Sequence, residues 1–174
     1  MRTRTLATAA AAALMLLIAG CGGSGTGTPL AATPTPTPTE PNSSYPCGLA
    51  GESEVAGAVG ESTAHRTTRG AICQWSLDGN DGGAEAVFSW FVDGSLERER
   101  STDTELGYAV TAIRVARATA FTAELPSNPA ACSVTAGTDS GVVSWWVGYR
   151  NGGRHPDPCA GAATLTAFTL NEEP

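Results

Sequence analysis

The residues of this 174-residue chain with most chemistry to offer are five cysteines, two histidines and four tryptophans. The cysteines, at positions 21, 47, 73, 132 and 159, stand singly along the chain. A zinc site draws its ligands in pairs about two to four residues apart, and no two of these are close, so no metal is expected. His65 and His155 lie in polar, loop-like stretches without a nucleophile-elbow pattern, so no catalytic residue is named and an enzyme is not expected. His155 and Asp157 offer ligand atoms two residues apart, but Asp157 already has a sufficient role as a helix cap. Glu97, Glu99, Asp103 and Glu105 lack the spacing of a calcium loop and read as a solvated acidic face. No cofactor is implied.

What these residues can do depends on where the chain goes. Arg2 and Arg4 precede an apolar run from Leu6 to Ile18, shorter than the roughly 20 residues needed to span a bilayer, so residues 1–20 read as a signal peptide. Its end, Ile18-Ala19-Gly20-Cys21, resembles the lipobox of bacterial lipoproteins. The resemblance implies that Cys21 is lipidated and becomes the new N-terminus. One acyl chain holds only marginally, at about 0.8 kcal/mol per buried methylene, so two or three chains are needed to keep the protein on the outer face of the cell membrane. In that oxidising setting the four other cysteines should form two local disulfides, Cys47 with Cys73 and Cys132 with Cys159. On the chain-entropy account each closed loop contributes roughly 3.5 kcal/mol.

Composition narrows the partners. All ten basic residues are arginine, and with the abundant alanine and glycine this is the pattern of a GC-rich coding sequence, as in actinobacteria. Removing residues 1–20 leaves eight arginines against seventeen acidic groups, a formal charge of −9, and no basic stripe interrupts it. Such a field repels phosphates, so nucleic acid is excluded as a partner. Residues 21–44 hold the lipidated cysteine and a Gly/Ser/Thr/Pro-rich tether whose Thr-Pro repeat, extended at about 3.1 Å per residue, gives reach. Thr33, Thr35, Thr37 and Thr39 are candidate O-glycosylation sites.

Residues 45–174 form one globular domain. Glu52 to Gly60 carries acidic residues in its first turn, Val55 and Val59 on one face and a glycine at the end, which specifies a short helix. Residues 71–77 alternate to put Cys73, Trp75 and Leu77 on one face of a strand, and Ala84 to Val92 returns as its hairpin partner. Residues 95–100 suggest a helical turn. Residues 107–116 and 119–125 read as two further strands before a break at Pro126-Ser127-Asn128-Pro129. Residues 132–136 and 142–149 flank a Gly-rich turn as a second hairpin. Asp157 as N-cap and Pro158 at the first position open a last helix to about Leu170, with Cys159, Ala162, Ala163, Thr166 and Leu170 along one side and Phe168 opposite. The fold class is α+β, a mainly antiparallel sheet of five to seven strands with an N-terminal and a C-terminal helix on it, each tied by a disulfide.

Aromatic surface is the remaining resource. Trp145 and Trp146 are adjacent on a strand, so they point to opposite faces, and the outward one is the candidate ligand contact.

Several of these motifs together resemble the actinobacterial lipoproteins of the domain of unknown function 3558 type. They are the lipobox at Cys21, Pro46-Cys47-Gly48-Leu49 leading into Glu54-Val55-Ala56-Gly57-Ala58-Val59-Gly60, Cys73-Gln74-Trp75, Cys132 in a late strand, and Asp157-Pro158-Cys159 opening an alanine-rich helix. The resemblance implies the same two local disulfides and no established activity. Gly51-Glu52-Ser53 departs from the Thr-Pro helix start common in that family. The functional expectation is a non-catalytic binding module for an envelope ligand or protein partner. The alternatives are a hydrolase of the cell wall and a structural envelope component.

Overall fold

The computed structural model describes residues 47, 50–68, 72–79, 82–150 and 154–171, so the leader, Cys21 and the tether lie outside the described residues. All described residues belong to one contact unit, Thr39–Pro174. Period-two alternation builds seven strands: β1 (Thr63–Thr68), β2 (Ile72–Asp78), β3 (Ala84–Val92), β4 (Ala109–Val115), β5 (Ala118–Leu125), β6 (Asn128–Thr138) and β7 (Gly141–Tyr149). They form one antiparallel sheet in the order β1-β2-β3-β7-β6-β5-β4, so the chain's first hairpin meets its last across β3 and β7. The described helices are α1 (Glu52–Val59), α2 (Leu96–Glu105) and α3 (Pro158–Asn171). The α+β expectation holds at its upper strand count.

One sheet face is apolar and is covered by α1 and α3. Trp75, Leu77, Ala86, Phe88, Val134, Trp145 and Val147 point into this core, together with Val55 and Val59 of α1 and Ala162 and Leu165 of α3. Gly60, at φ 81°, closes α1 in the left-handed region, donating its N–H to Ala56 O at 2.9 Å. Asp157 caps α3, its Oδ1 accepting the Cys159 N–H at 2.8 Å. The helices touch at Gly161, where an added Cβ would lie 3.2 Å from Ala58 O. Disulfides join Cys47, just ahead of α1, to Cys73 in β2, and Cys132 in β6 to Cys159 in α3.

Four local expectations change. Residues 63–68, including His65, are an edge strand and not a loop; among residues 63–67 Ala64 alone is buried, so the alternation of this polar segment is faint. The helical turn at 95–100 extends into the ten-residue α2, capped by Ser95, whose side chain accepts the Arg98 N–H. The break at 126–129 shrinks to a two-residue turn, and Pro129 sits in β6 beside the register shift between Glu124 and Leu125, where no ladder donor is needed. The buried side of α3 is Gly161, Ala162, Leu165, Thr166 and Thr169, with Cys159, Ala163 and Leu170 only half-buried. That rotation follows from contacts on two sides, the sheet and α1, and it accounts for Phe168, which packs toward α1.

Candidate ligand-binding face

The second face of the sheet has a different character. Strand pairing aligns Gln74, Val87, Trp146 and Ser133 in one row across β2, β3, β7 and β6, and Ile72, Ser89, Ser144 and Thr135 in the next. Ser76, Glu85, Gly148 and Ala131 make a third row. Over β4, β5 and β6 this face lies under α2: Leu96 reaches to 3.6 Å from where a Gly137 Cβ would be, and Phe121 is buried. No described helix covers the part formed by β1, β2, β3 and β7. There Gln74, Ser76, Val87, Ser89 and Ser144 are half-buried, while Ile72 and Phe91 are 53% and 42% exposed.

The two adjacent tryptophans are split between these faces. Trp145 is fully buried on the helix side, its ring centroid 5.1 Å from both Trp75 and Phe88, and its Nε1–H donates to Thr169 Oγ1 at 2.9 Å. It has no surface to offer a ligand. Trp146 is half-buried on the open face, where its six-membered ring runs along the strand and fills the space a Gly148 Cβ would occupy. Glycine two residues on is what lets the indole lie down on the sheet; any larger residue would lift it. Sequence reasoning named Trp146 but missed Gly148 and the hydroxyl and amide groups around it, although their even spacing on strict alternation was a usable signal.

Charge sits at one end of this face. Arg150 follows β7, with Nη1 3.7 Å from Asp78 Oδ1, Nε 3.7 Å from Glu85 Oε1 and Nη2 donating to Ser76 Oγ at 2.5 Å. Exposed pairs of this kind add little stability, about 0–1 kcal/mol, but they neutralise the two carboxylates in place. The interior of the face is therefore uncharged and rich in hydroxyl groups, with an aromatic ring at its centre.

The other sequence candidates are dispersed. His65 is exposed on β1 opposite Ser76, whereas His155 stacks on Tyr149 at 4.6 Å, its Nδ1 2.8 Å from Pro156 O. Tyr149 donates its O–H to Val59 O at 2.6 Å, and burial, helped by Glu61 and Asp157, pushes its pKa up to about 12. Burial, with Glu99 nearby, raises the Asp103 carboxyl above its usual range, and Glu97 and Glu105 are exposed on the same helix. Glu124, Cys132 and Cys159 bring three ligand-type atoms within 4.8 Å, but both sulfurs belong to a disulfide and offer no thiolate. A hollow of about 660 Å³ opens where the turn at Ala116 and Arg117 faces Asp139 and Leu170. Among the described residues no helix is long and apolar enough to cross a membrane.

No curated protein and no solved structure matches this chain. The family described as protein of unknown function DUF3558 matches residues 16–172, which takes in every element of the sheet and its helices. On that match the chain belongs to the DUF3558 family.

Proposed function

We propose that this protein is an extracytoplasmic lipoprotein, anchored through Cys21, whose domain binds a neutral, polyhydroxylated envelope ligand without catalysis. The reading rests on one observation: Trp146 lies half-buried in the rows of Gln74, Ser89 and Ser144 on the part of the sheet face, β1, β2, β3 and β7, that no described helix covers, with Ser133 beside it on β6. An aromatic ring supplies a flat apolar contact for a sugar ring, and surrounding hydroxyl and amide groups exchange hydrogen bonds with its alcohols. The two carboxylates at the margin are held by Arg150, which suits an uncharged ligand better than a cation or an anion. The leader, the Ile18-Ala19-Gly20-Cys21 motif and the Thr/Pro tether supply address and reach.

Two experiments test this. Wild-type protein should co-sediment with isolated cell-wall glycan, and Trp146→Ala should lose at least tenfold in retention while remaining folded. Undiminished retention by a folded Trp146→Ala protein would remove the face from consideration. Separately, the wild-type chain should partition into detergent and gain lipid mass, whereas Cys21→Ala should do neither; equal labelling of both would overturn the anchor.

A further inference from the structure

The two disulfides differ in their surroundings. Cys47 and Cys73 are both buried, at 4% and 0% exposure. In the second bridge Cys132 is equally buried, but Cys159 is half-buried at the first turn of α3 and is the sulfur-bearing residue that solvent reaches. Beside it stands Glu124. The register shift at the end of β5 leaves Glu124 paired with Cys132, and its Oε1 lies 2.6 Å from Cys159 Sγ and 3.9 Å from Cys132 Sγ. A disulfide sulfur carries no hydrogen, so this contact is not a hydrogen bond; it places a carboxylate oxygen against an electrophilic sulfur. The carboxylate oxygen therefore lies nearer to Cys159 Sγ than to Cys132 Sγ. Asp157, whose Oδ1 accepts the Cys159 N–H, adds a second anion nearby.

We propose that Cys132–Cys159 is the thiol-exchange site of this domain, attacked at Cys159, and that Glu124 is a positioning residue that holds the exchange slow. The reacting partner is a thiolate. It would form a bond to Cys159 Sγ as the Cys132–Cys159 bond breaks, and the electron pair would leave on Cys132 Sγ, which then takes a proton from water. With a dithiol reagent, its second thiolate would attack the mixed disulfide, releasing Cys159 as a thiolate and leaving the reagent as a cyclic disulfide. The protein disulfide gains two electrons and the dithiol loses two. A carboxylate beside the attacked sulfur opposes this at both stages, by repelling the incoming anion and by disfavouring thiolate on either leaving sulfur. The first helical turn of α3 favours a thiolate at Cys159, so the site has intrinsic reactivity for Glu124 to restrain.

The test is reduction of the full-length chain by dithiothreitol, with the thiols of each pair trapped by alkylation and counted by peptide mass spectrometry. Cys132–Cys159 should open before Cys47–Cys73. Glu124→Gln should open that bridge roughly five- to tenfold faster, the effect of removing one charge about 4 Å from the leaving Cys132 sulfur, and leave the rate at Cys47–Cys73 unchanged. The advantage of the variant should shrink in about 1 M salt, where the screening length falls to about 3 Å. A neutral phosphine should discriminate less between the two proteins than the thiolate does. The wild type alone gives a second reading, since salt should accelerate its Cys132–Cys159 reduction by thiolate more than its Cys47–Cys73 reduction. Prior opening of Cys47–Cys73, equal thiolate rates for wild type and Glu124→Gln, or an equal gain with thiolate and neutral phosphine would each overturn the proposal. The last of these would mark a steric effect.

Discussion

Replacing Trp145 or Trp146 by alanine changes the same side chain at neighbouring positions, yet the two substitutions should differ by several kcal/mol. Trp145 has no exposed surface, contacts the rings of Trp75 and Phe88 and satisfies its indole N–H on Thr169. Truncation leaves a cavity under α3 that the sheet cannot close, because β6 and β7 are held in register on both sides. Core tryptophans truncated in this way typically cost about 3–5 kcal/mol. For a domain of this size each kcal/mol moves the melting temperature by about 3–4 °C, so Trp145→Ala should melt roughly 10–20 °C lower. Trp146 loses only a half-buried contact with Gly148 and its row neighbours, and about 1 kcal/mol is expected. Urea titrations followed by circular dichroism would give both values at neutral pH. Equal destabilisation by the two substitutions would refute the assignment of one ring to the core and the other to the open face.

Further outcomes follow from single contacts. Gly148→Ala places a Cβ where the Trp146 ring now lies, so the indole must lift from the sheet; its fluorescence should shift to the red and glycan retention should fall. Tyr149 titrates near pH 10 in an unfolded chain and at about 12 in the fold. The folded state therefore holds its proton while the unfolded state loses it, and the associated stability is complete below about pH 10 and is lost as pH rises toward 12. Tyr149→Phe should be less stable at neutral pH, through loss of the 2.6 Å bond to Val59 O, and should show a shallower alkaline decline in urea midpoints. An unchanged alkaline slope would show that another group governs it.

The elements most legible in the sequence were those whose signals are local. Acidic residues at 52 and 54 and glycine at 60 bound α1; Asp157 and Pro158 open α3; alternation defines β2, β3 and β7. The cysteine pairs were legible for the same reason, since each closes a short loop between adjacent elements. β1 was not legible, because an edge strand that buries Ala64 alone among residues 63–67 has no apolar period to display. The alternation of residues 141–149 already required Trp145 and Trp146 to face apart. Which face became core was decided by tertiary structure: α1 and α3, tied down by Cys47–Cys73 and Cys132–Cys159, both close over the side of Trp75, Phe88 and Trp145. The pairing of β3 with β7 joins segments about fifty residues apart, and it brings the pair Gln74 and Val87 into one row with the pair Trp146 and Ser133. Local sequence fixes the side to which each residue points along its strand. Only the packing of helices against the finished sheet determines which of those sides meets solvent, because burial belongs to the assembled surface and not to any single strand.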